Sequence, residues 1–153
     1  MSACKAVVFA LLWLLTFQWA QAADVILTTL DGQKIPFSSL KGKWVFINYW
    51  ASWCQPCLDE IHALNRFYEH QKKDVALFAV NFDMLAAEEQ LQLIKKHRIN
   101  YPSLQNDPAQ ALHLKNIPGV PATFVFNPEG KLSQTLFGPQ TLLSLNEVIG
   151  QKS

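Results

Sequence analysis

Two cysteines three positions apart, in Cys54-Gln55-Pro56-Cys57, carry the strongest chemical signal in this sequence. Ahead of them runs Trp44-Val45-Phe46-Ile47-Asn48-Tyr49-Trp50, an aromatic and β-branched stretch that reads as a strand buried on both faces. After them, Gln55 to Gln71 reads as a helix. A cysteine at that junction faces the unpaired N–H groups of the first turn, and the helix dipole should favour the Cys54 thiolate and lower its pKa. Pro56 is tolerated there because its missing N–H would have had no partner. In a regular helix, β-carbons three residues apart lie roughly 5–6 Å from each other, beyond the about 3.5–4.5 Å a disulfide needs. At a helix start Cys54 is not yet helical, so the sulfurs can meet and part with little backbone movement. That is a redox device.

Helical spacing assigns roles within the pair. Cys57, Ile61, Leu64 and Tyr68 form a stripe that starts the buried face, which leaves Cys54 above it at the exposed edge. An exposed sulfur attacks a partner's disulfide, and the buried one resolves the mixed disulfide. Rotation of about 100° per residue puts Glu60 about 60° off this stripe and Asp59 on the far side. Glu60 is therefore either a carboxylate that moves protons near Cys57 or a solvated residue at the helix flank. A zinc site would want four ligands, yet a second cysteine pair is absent and His62, His70, His97 and His113 are scattered. No pattern calls for a metal or a cofactor. An inert disulfide is the remaining alternative, and a bridge this short constrains the unfolded chain very little.

The elements that must position these groups alternate in type. Val25 to Leu30 reads as a strand ending at the turn Asp31-Gly32, and Lys34 to Gly42 as a loop or short turn. Val75 to Phe82 reads as a second buried strand, and Ala86 to His97 as a helix with Ala87, Leu91 and Ile94 on one face. Asp107-Pro108 would cap and open a short helix. Thr123 to Asn127 and Lys131 to Phe137 form a hairpin about Pro128-Glu129-Gly130, and Leu142 to Ile149 a closing helix with Leu142, Leu145 and Ile149 inward. This order predicts one α/β domain with a central mixed sheet flanked by helices.

The chain has 153 residues, 50% hydrophobic, with a formal charge of +1. Such a balance offers no basic field for nucleic acid. Residues 1–22 read as a signal peptide: Lys5, an apolar run from Ala6 to Phe17, then Ala20-Gln21-Ala22. An uncleaved membrane anchor is the alternative, although the run falls short of the roughly 20 residues a bilayer needs. Removal of this segment takes Cys4 with it and leaves residues 23–153 with one cysteine pair, in a compartment where disulfides persist.

From Trp50 to Cys57 the sequence resembles the thioredoxin superfamily, and most of all the exported TlpA/ResA/CcmG branch of thiol-disulfide oxidoreductases. The resemblance runs from about Leu40 to the C-terminus. It implies a thioredoxin-like fold, with Asn81 to Tyr101 as the branch's strand–helix insertion and Glu60 as its active-site glutamate. Gly119-Val120-Pro121-Ala122-Thr123 matches the superfamily's cis-proline loop, which implies that Val120 and Pro121 lie beside the sulfurs and pair with a bound peptide. Trp53 belongs to the same expected substrate surface. Asn48 stands where cytosolic thioredoxins carry a buried Asp, and Ile61-His62 follows Glu60 where the branch often has proline.

The resemblance implies a periplasmic reductant of protein disulfides, recharged by a membrane electron donor and serving cytochrome c maturation. An oxidant or isomerase of the same fold is the alternative, since reduction potentials run from about −270 mV for thioredoxin to about −120 mV for DsbA. A metallochaperone would want a histidine paired with the cysteines, and none is evident. The oligomeric state is not written in the sequence.

Overall fold

The computed structural model describes residues 23–115 and 117–150. The expected signal peptide, residues 1–22, lies outside the described residues. The chain opens with a hairpin of two short strands, β1 (Ile26–Thr28) and β2 (Lys34–Pro36), paired antiparallel with Leu27 opposite Ile35. The expected loop at Lys34 is therefore a strand. Its cause is the turn: the Thr29 hydroxyl bonds the Asp31 carboxylate, Gln33 N donates to Thr29 Oγ1 at 3.0 Å, and Gly32 takes φ 86°. Three residues per strand are too few to leave an alternating pattern.

A 3-10 turn, Phe37–Leu40, leads to β3 (Trp44–Trp50) and then to α1 (Gln55–Gln71), as the sequence predicts. The chain continues through β4 (Val75–Asn81), α2 (Ala87–His97), β5 (Ala122–Phe126), β6 (Leu132–Phe137) and α3 (Leu142–Val148). Four strands form one mixed sheet in the order β4-β3-β5-β6. β3 runs parallel to β4 with Trp50 beside Asn81, and antiparallel to β5 with Asn48 opposite Thr123. β6 closes the far edge antiparallel to β5, with Ala122 opposite Phe137.

Strand alternation splits β3 between two cores. Phe46 and Trp50 face α1 and α3, packing with Cys57, Ile61, Leu64, Phe67 and Leu145. Val45, Ile47 and Tyr49 face the opposite side, where Leu27, Phe78, Phe124 and Phe126 complete a second cluster. Burial of both faces explains the nearly unbroken apolar run. Asn48 belongs by alternation to the α1 side, which aims an amide at the layer holding Cys57.

Two expected helical features take another form. Residues 109–113 make turns rather than a helix: the bond from the Leu112 N–H to the Pro108 carbonyl, at 2.9 Å, is not continued, because His113 goes left-handed at φ 53°. Asp107 Oδ1 caps the N–H of Ala109 at 2.8 Å as expected and also accepts the Tyr49 hydroxyl at 2.6 Å. The tie to Tyr49 holds this segment over the second core. On α2 the inward face is Gln90, Leu93 and Ile94, while Ala87 and Leu91 stay exposed. Gln90 is buried because its amide caps the Leu85 carbonyl at 2.8 Å, a contact that apolar periodicity does not record. The 81–101 stretch carries this helix, and the pairings beside it are isolated bridges, Ala79 with Ser103 and Thr29 with Leu104.

Candidate active site

Cys54 and Cys57 form a disulfide at the start of α1, with their Cα atoms 5.3 Å apart. Cys54 is the residue capping the helix, in an extended conformation (φ −94°, ψ 97°), and its sulfur accepts the Cys57 N–H at 3.2 Å. The non-helical backbone at Cys54 brings the sulfurs together, as the spacing argument requires. Cys57 is wholly enclosed, but Cys54 is only 5% exposed and so lies in a cleft rather than on an open edge. The difference arises from Val120, whose carbonyl oxygen lies 3.6 Å from Cys54 Sγ.

The Val120–Pro121 peptide is cis, alone among the described residues. Pro121 is buried, and its carbonyl accepts the Gly138 N–H at 3.0 Å, which fixes the loop to the end of β6. Trp53, immediately before the disulfide, is 69% exposed. Disulfide, cis-proline loop and exposed tryptophan thus share one end of the sheet.

Glu60 is not a solvated flank residue. It is 2% exposed, because the helix turns it under the disulfide toward the sheet. Its Oε1 accepts a 2.8 Å hydrogen bond from Asn48 Nδ2, and its Oε2 a 2.8 Å bond from the N–H of Gln140. Asn48 Nδ2 also donates to Thr123 Oγ1 at 3.0 Å. Burial pushes the Glu60 carboxyl up to about 7, against the downward pull of the bonds from Gln140 and Asn48. The Tyr101 phenol is raised by its own burial and by the Glu60 charge, and its oxygen has no hydrogen-bond partner. The inward stripe of α1 is accordingly Cys57, Glu60, Ile61, Leu64 and Phe67, with Tyr68 only half-buried.

Gln140 and Tyr101 come from segments remote in sequence, and no local signal marks them; Thr123 closes the cis-proline motif, but nothing local marks it as a partner of Asn48. Asp83 is different. Its carboxylate accepts the N–H of Ser52 at 2.8 Å, the Ser52 hydroxyl at 3.1 Å and Asn81 Nδ2 at 2.8 Å, tying the loop before Cys54 to the end of β4. The pattern Asn81-Phe82-Asp83 after a strand is a turn signal that could have pointed to it. Among the described residues no group of three or more His, Cys, Asp or Glu stands together to hold a metal ion.

Residues 20–135 match the AhpC/TSA family. Thiol-disulfide oxidoreductase ResA of Bacillus subtilis is 32% identical over 126 residues, covering 80% of this chain and 68% of the relative. The chain belongs to the AhpC/TSA family, in its ResA-like branch of the thioredoxin superfamily. The crystal structure of StoA from Bacillus subtilis superposes with a TM-score of 0.65 at 27% identity, over 84% of this chain and 98% of StoA. A thioredoxin family protein from Chlorobium tepidum shares the fold, with a TM-score of 0.71 over 86% of this chain and 97% of its own at 23% identity. The ResA-like chain therefore has a thioredoxin-like fold and is a thiol-disulfide oxidoreductase.

Proposed function

We propose that the protein is an exported reductant of protein disulfides, working in the periplasm, with Cys54 as nucleophile and Cys57 as resolving thiol. The observation that carries the redox reading is a disulfide closed across the first turn of α1, with one sulfur completely enclosed and the other in the cleft at Val120. In the reduced protein the Cys54 thiolate attacks one sulfur of a substrate disulfide. A mixed disulfide forms and the first substrate thiolate leaves. The Cys57 thiolate then attacks Cys54 Sγ, the second substrate thiolate leaves, and the enzyme disulfide forms. Two electrons pass to the substrate, and an external dithiol, in this reading a membrane electron donor, must return them.

The N–H of Cys57 and the dipole of α1 support the Cys54 thiolate. Glu60, with a carboxyl that titrates near neutrality below the pair, receives the Cys57 proton as that thiol becomes a nucleophile. Val120 and Pro121 present backbone to a bound substrate segment, and Trp53 covers one side of it.

The direction of flow has a physical basis. A strong oxidant such as DsbA owes its potential to a stabilised reduced form. Here no Lys or Arg occurs between Lys43 and Arg66, between Lys73 and Lys95, or between Lys115 and Lys131, the stretches that build this end of the sheet. With no cation supplied by these stretches, the helix N-terminus is the main support of the thiolate in this reading, which favours a reductant. Export follows from the Lys5, apolar run and Ala20-Gln21-Ala22 pattern. Service to cytochrome c maturation rests on the likeness to the ResA branch.

The test is the reduction potential of the Cys54–Cys57 couple in a dithiothreitol or glutathione buffer. A value near thioredoxin's about −270 mV fits a dedicated reductant, and one near DsbA's about −120 mV replaces this reading with an oxidant or isomerase.

A further inference from the structure

Past β4 the sheet is continued by the segment that follows α2. Ala79 and Ser103 pair in a parallel bridge, with the Ala79 N–H on the Pro102 carbonyl and the Leu104 N–H on the Ala79 carbonyl, both at 2.8 Å. Residues paired across a sheet share a face, so a row runs Thr123, Asn48, Ala79, Ser103 beneath α1. Tyr101, two positions before Ser103, falls on the same face by alternation and joins the core layer of Trp50, Cys57 and Ala79. In this row Ala79 places only a methyl group between the outer segment and Asn48.

Two buried polar atoms of this layer are complementary. Among the described residues the Tyr101 hydroxyl is a donor without an acceptor, and Asn48 Oδ1 is an acceptor without a donor. Leaving both unmet costs stability that a phenylalanine at 101 would not lose. The Trp50 indole is also an unmet donor, but it packs edge-to-face with His97 at 5.9 Å. Tyr101 is the donor on which the Glu60 charge acts, and that charge together with burial keeps the phenol protonated and able to donate. We infer that Tyr101 is a positioning residue for Glu60: its hydroxyl donates to Asn48 Oδ1, directly or across one water, and so pins the Asn48 amide with Nδ2 on the carboxylate. The pinned amide favours the ionised acid, the form able to take the Cys57 proton. The inference rests on the reading of Glu60 as that acceptor: one proton passes from the Cys57 thiol to the carboxylate, leaving a thiolate and a neutral acid.

Facing Glu60 are Cys54 and Cys57 at the start of its own helix, Asn48 on β3, the Gln140 N–H ahead of α3 and Tyr101 beyond β4. The further titratable groups of the layer are His97, against Trp50, and Tyr68, which meets the Tyr101 ring at 6.3 Å and carries Lys72 over its own at 5.2 Å.

The experiment follows Glu60 in the oxidised protein, where neither cysteine titrates, through the pH dependence of its side-chain carboxyl carbon signal in NMR. Tyr101→Phe keeps the ring and should move the Glu60 midpoint up by about one pH unit. In the reduced protein the second phase of reaction with oxidised glutathione, attack of Cys57 on the mixed disulfide, should slow about fivefold at pH 7 and recover by about pH 9. In a Glu60→Gln background Tyr101→Phe should slow that phase no further. An unmoved or lowered midpoint overturns the positioning role, and so does an equal slowing in the Glu60→Gln background. If the midpoint rises but Glu60→Gln resolves the mixed disulfide as fast as the wild type, the positioning role stands and Glu60 loses its place as proton acceptor.

Discussion

The Asn48 amide donates a 2.8 Å hydrogen bond to the Glu60 carboxylate across the gap between β3 and α1, directly in the layer that encloses Cys57. Strand alternation gives Asn48 its direction, and one turn of helix from Cys57 gives Glu60 its own. With the Gln140 N–H on the other carboxylate oxygen, the acid is held at a fixed place without a cation. A neutral amide orients the carboxylate while pulling its pKa down only in part, whereas a lysine there would lock it ionised.

A stability consequence follows for pH. Burial holds the Glu60 carboxyl near 7 in the folded protein, against 4.5 when exposed. Between those values the folded state binds more protons than the unfolded one, so stability is greatest below about 4.5 and declines as pH rises through 7, by a few kcal/mol. Glu60→Gln keeps the packing and one of the two acceptor oxygens but cannot ionise. Urea unfolding of the oxidised protein at pH 5 and pH 8 should show the wild type losing stability at the higher pH and the variant losing much less. In exchange kinetics the same variant should lose the inflection near neutral pH.

What the sequence disclosed and what it hid follow from range. The bounds of β3 and α1, the hairpin β5–β6 and the disulfide are written in contiguous residues, because double burial makes Val45 to Trp50 uniformly apolar and the Cys57-Ile61-Leu64 spacing is local. Glu60 could not be settled that way: its burial depends on Asn48 and Gln140, the latter 80 positions away. Residues 109–113 stop at turns where His113 goes left-handed, and the bond that ties Asp107 to Tyr49, 58 positions away, is equally invisible to local pattern. The burial of Gln90 leaves no trace in a hydropathy pattern, because a buried amide with a backbone partner reads as polar.

The division of labour between the cysteines gives a sharp prediction. Cys54 retains the small accessible remainder and faces the Val120 carbonyl, while Cys57 has no accessible surface. Cys54→Ser should abolish exchange, and Cys57→Ser should accumulate mixed disulfides with substrate, seen by mass spectrometry under nonreducing conditions. Adducts on Cys57 in the Cys54→Ser protein would invert the assignment.

Tyr49→Phe supplies the opposite kind of test. The hydroxyl bonds Asp107 at 2.6 Å on the sheet face away from the disulfide. Its loss should cost about 1–3 kcal/mol, since the bond is to a charged acceptor. Protection from hydrogen exchange should fall in residues 107–115, and the reduction potential should stay where it was. A shifted potential would mean that the two faces of the sheet are coupled.

Asp83 should matter more than its half-buried setting suggests. One carboxylate satisfies the Ser52 N–H, the Ser52 hydroxyl and the Asn81 amide, so Asp83→Ala strands three donors at once. Water reaches part of this site and will recover some of the loss, which leaves an expected destabilisation of about 1–3 kcal/mol. The more telling effect is local. Ser52 lies two residues before the capping sulfur, and without Asp83 the loop retains the Cys54 N–H to Ala51 carbonyl bond, at 3.2 Å, and the Phe82 N–H to Trp50 bond. Amide exchange at Ser52 should therefore accelerate by more than the global loss of stability predicts, while amides in the middle of β3 follow the global value. Asp83→Asn keeps acceptor capacity and should recover part of the protection. If Ser52 and the β3 amides shift together in both variants, Asp83 contributes only to overall stability and does not position the disulfide.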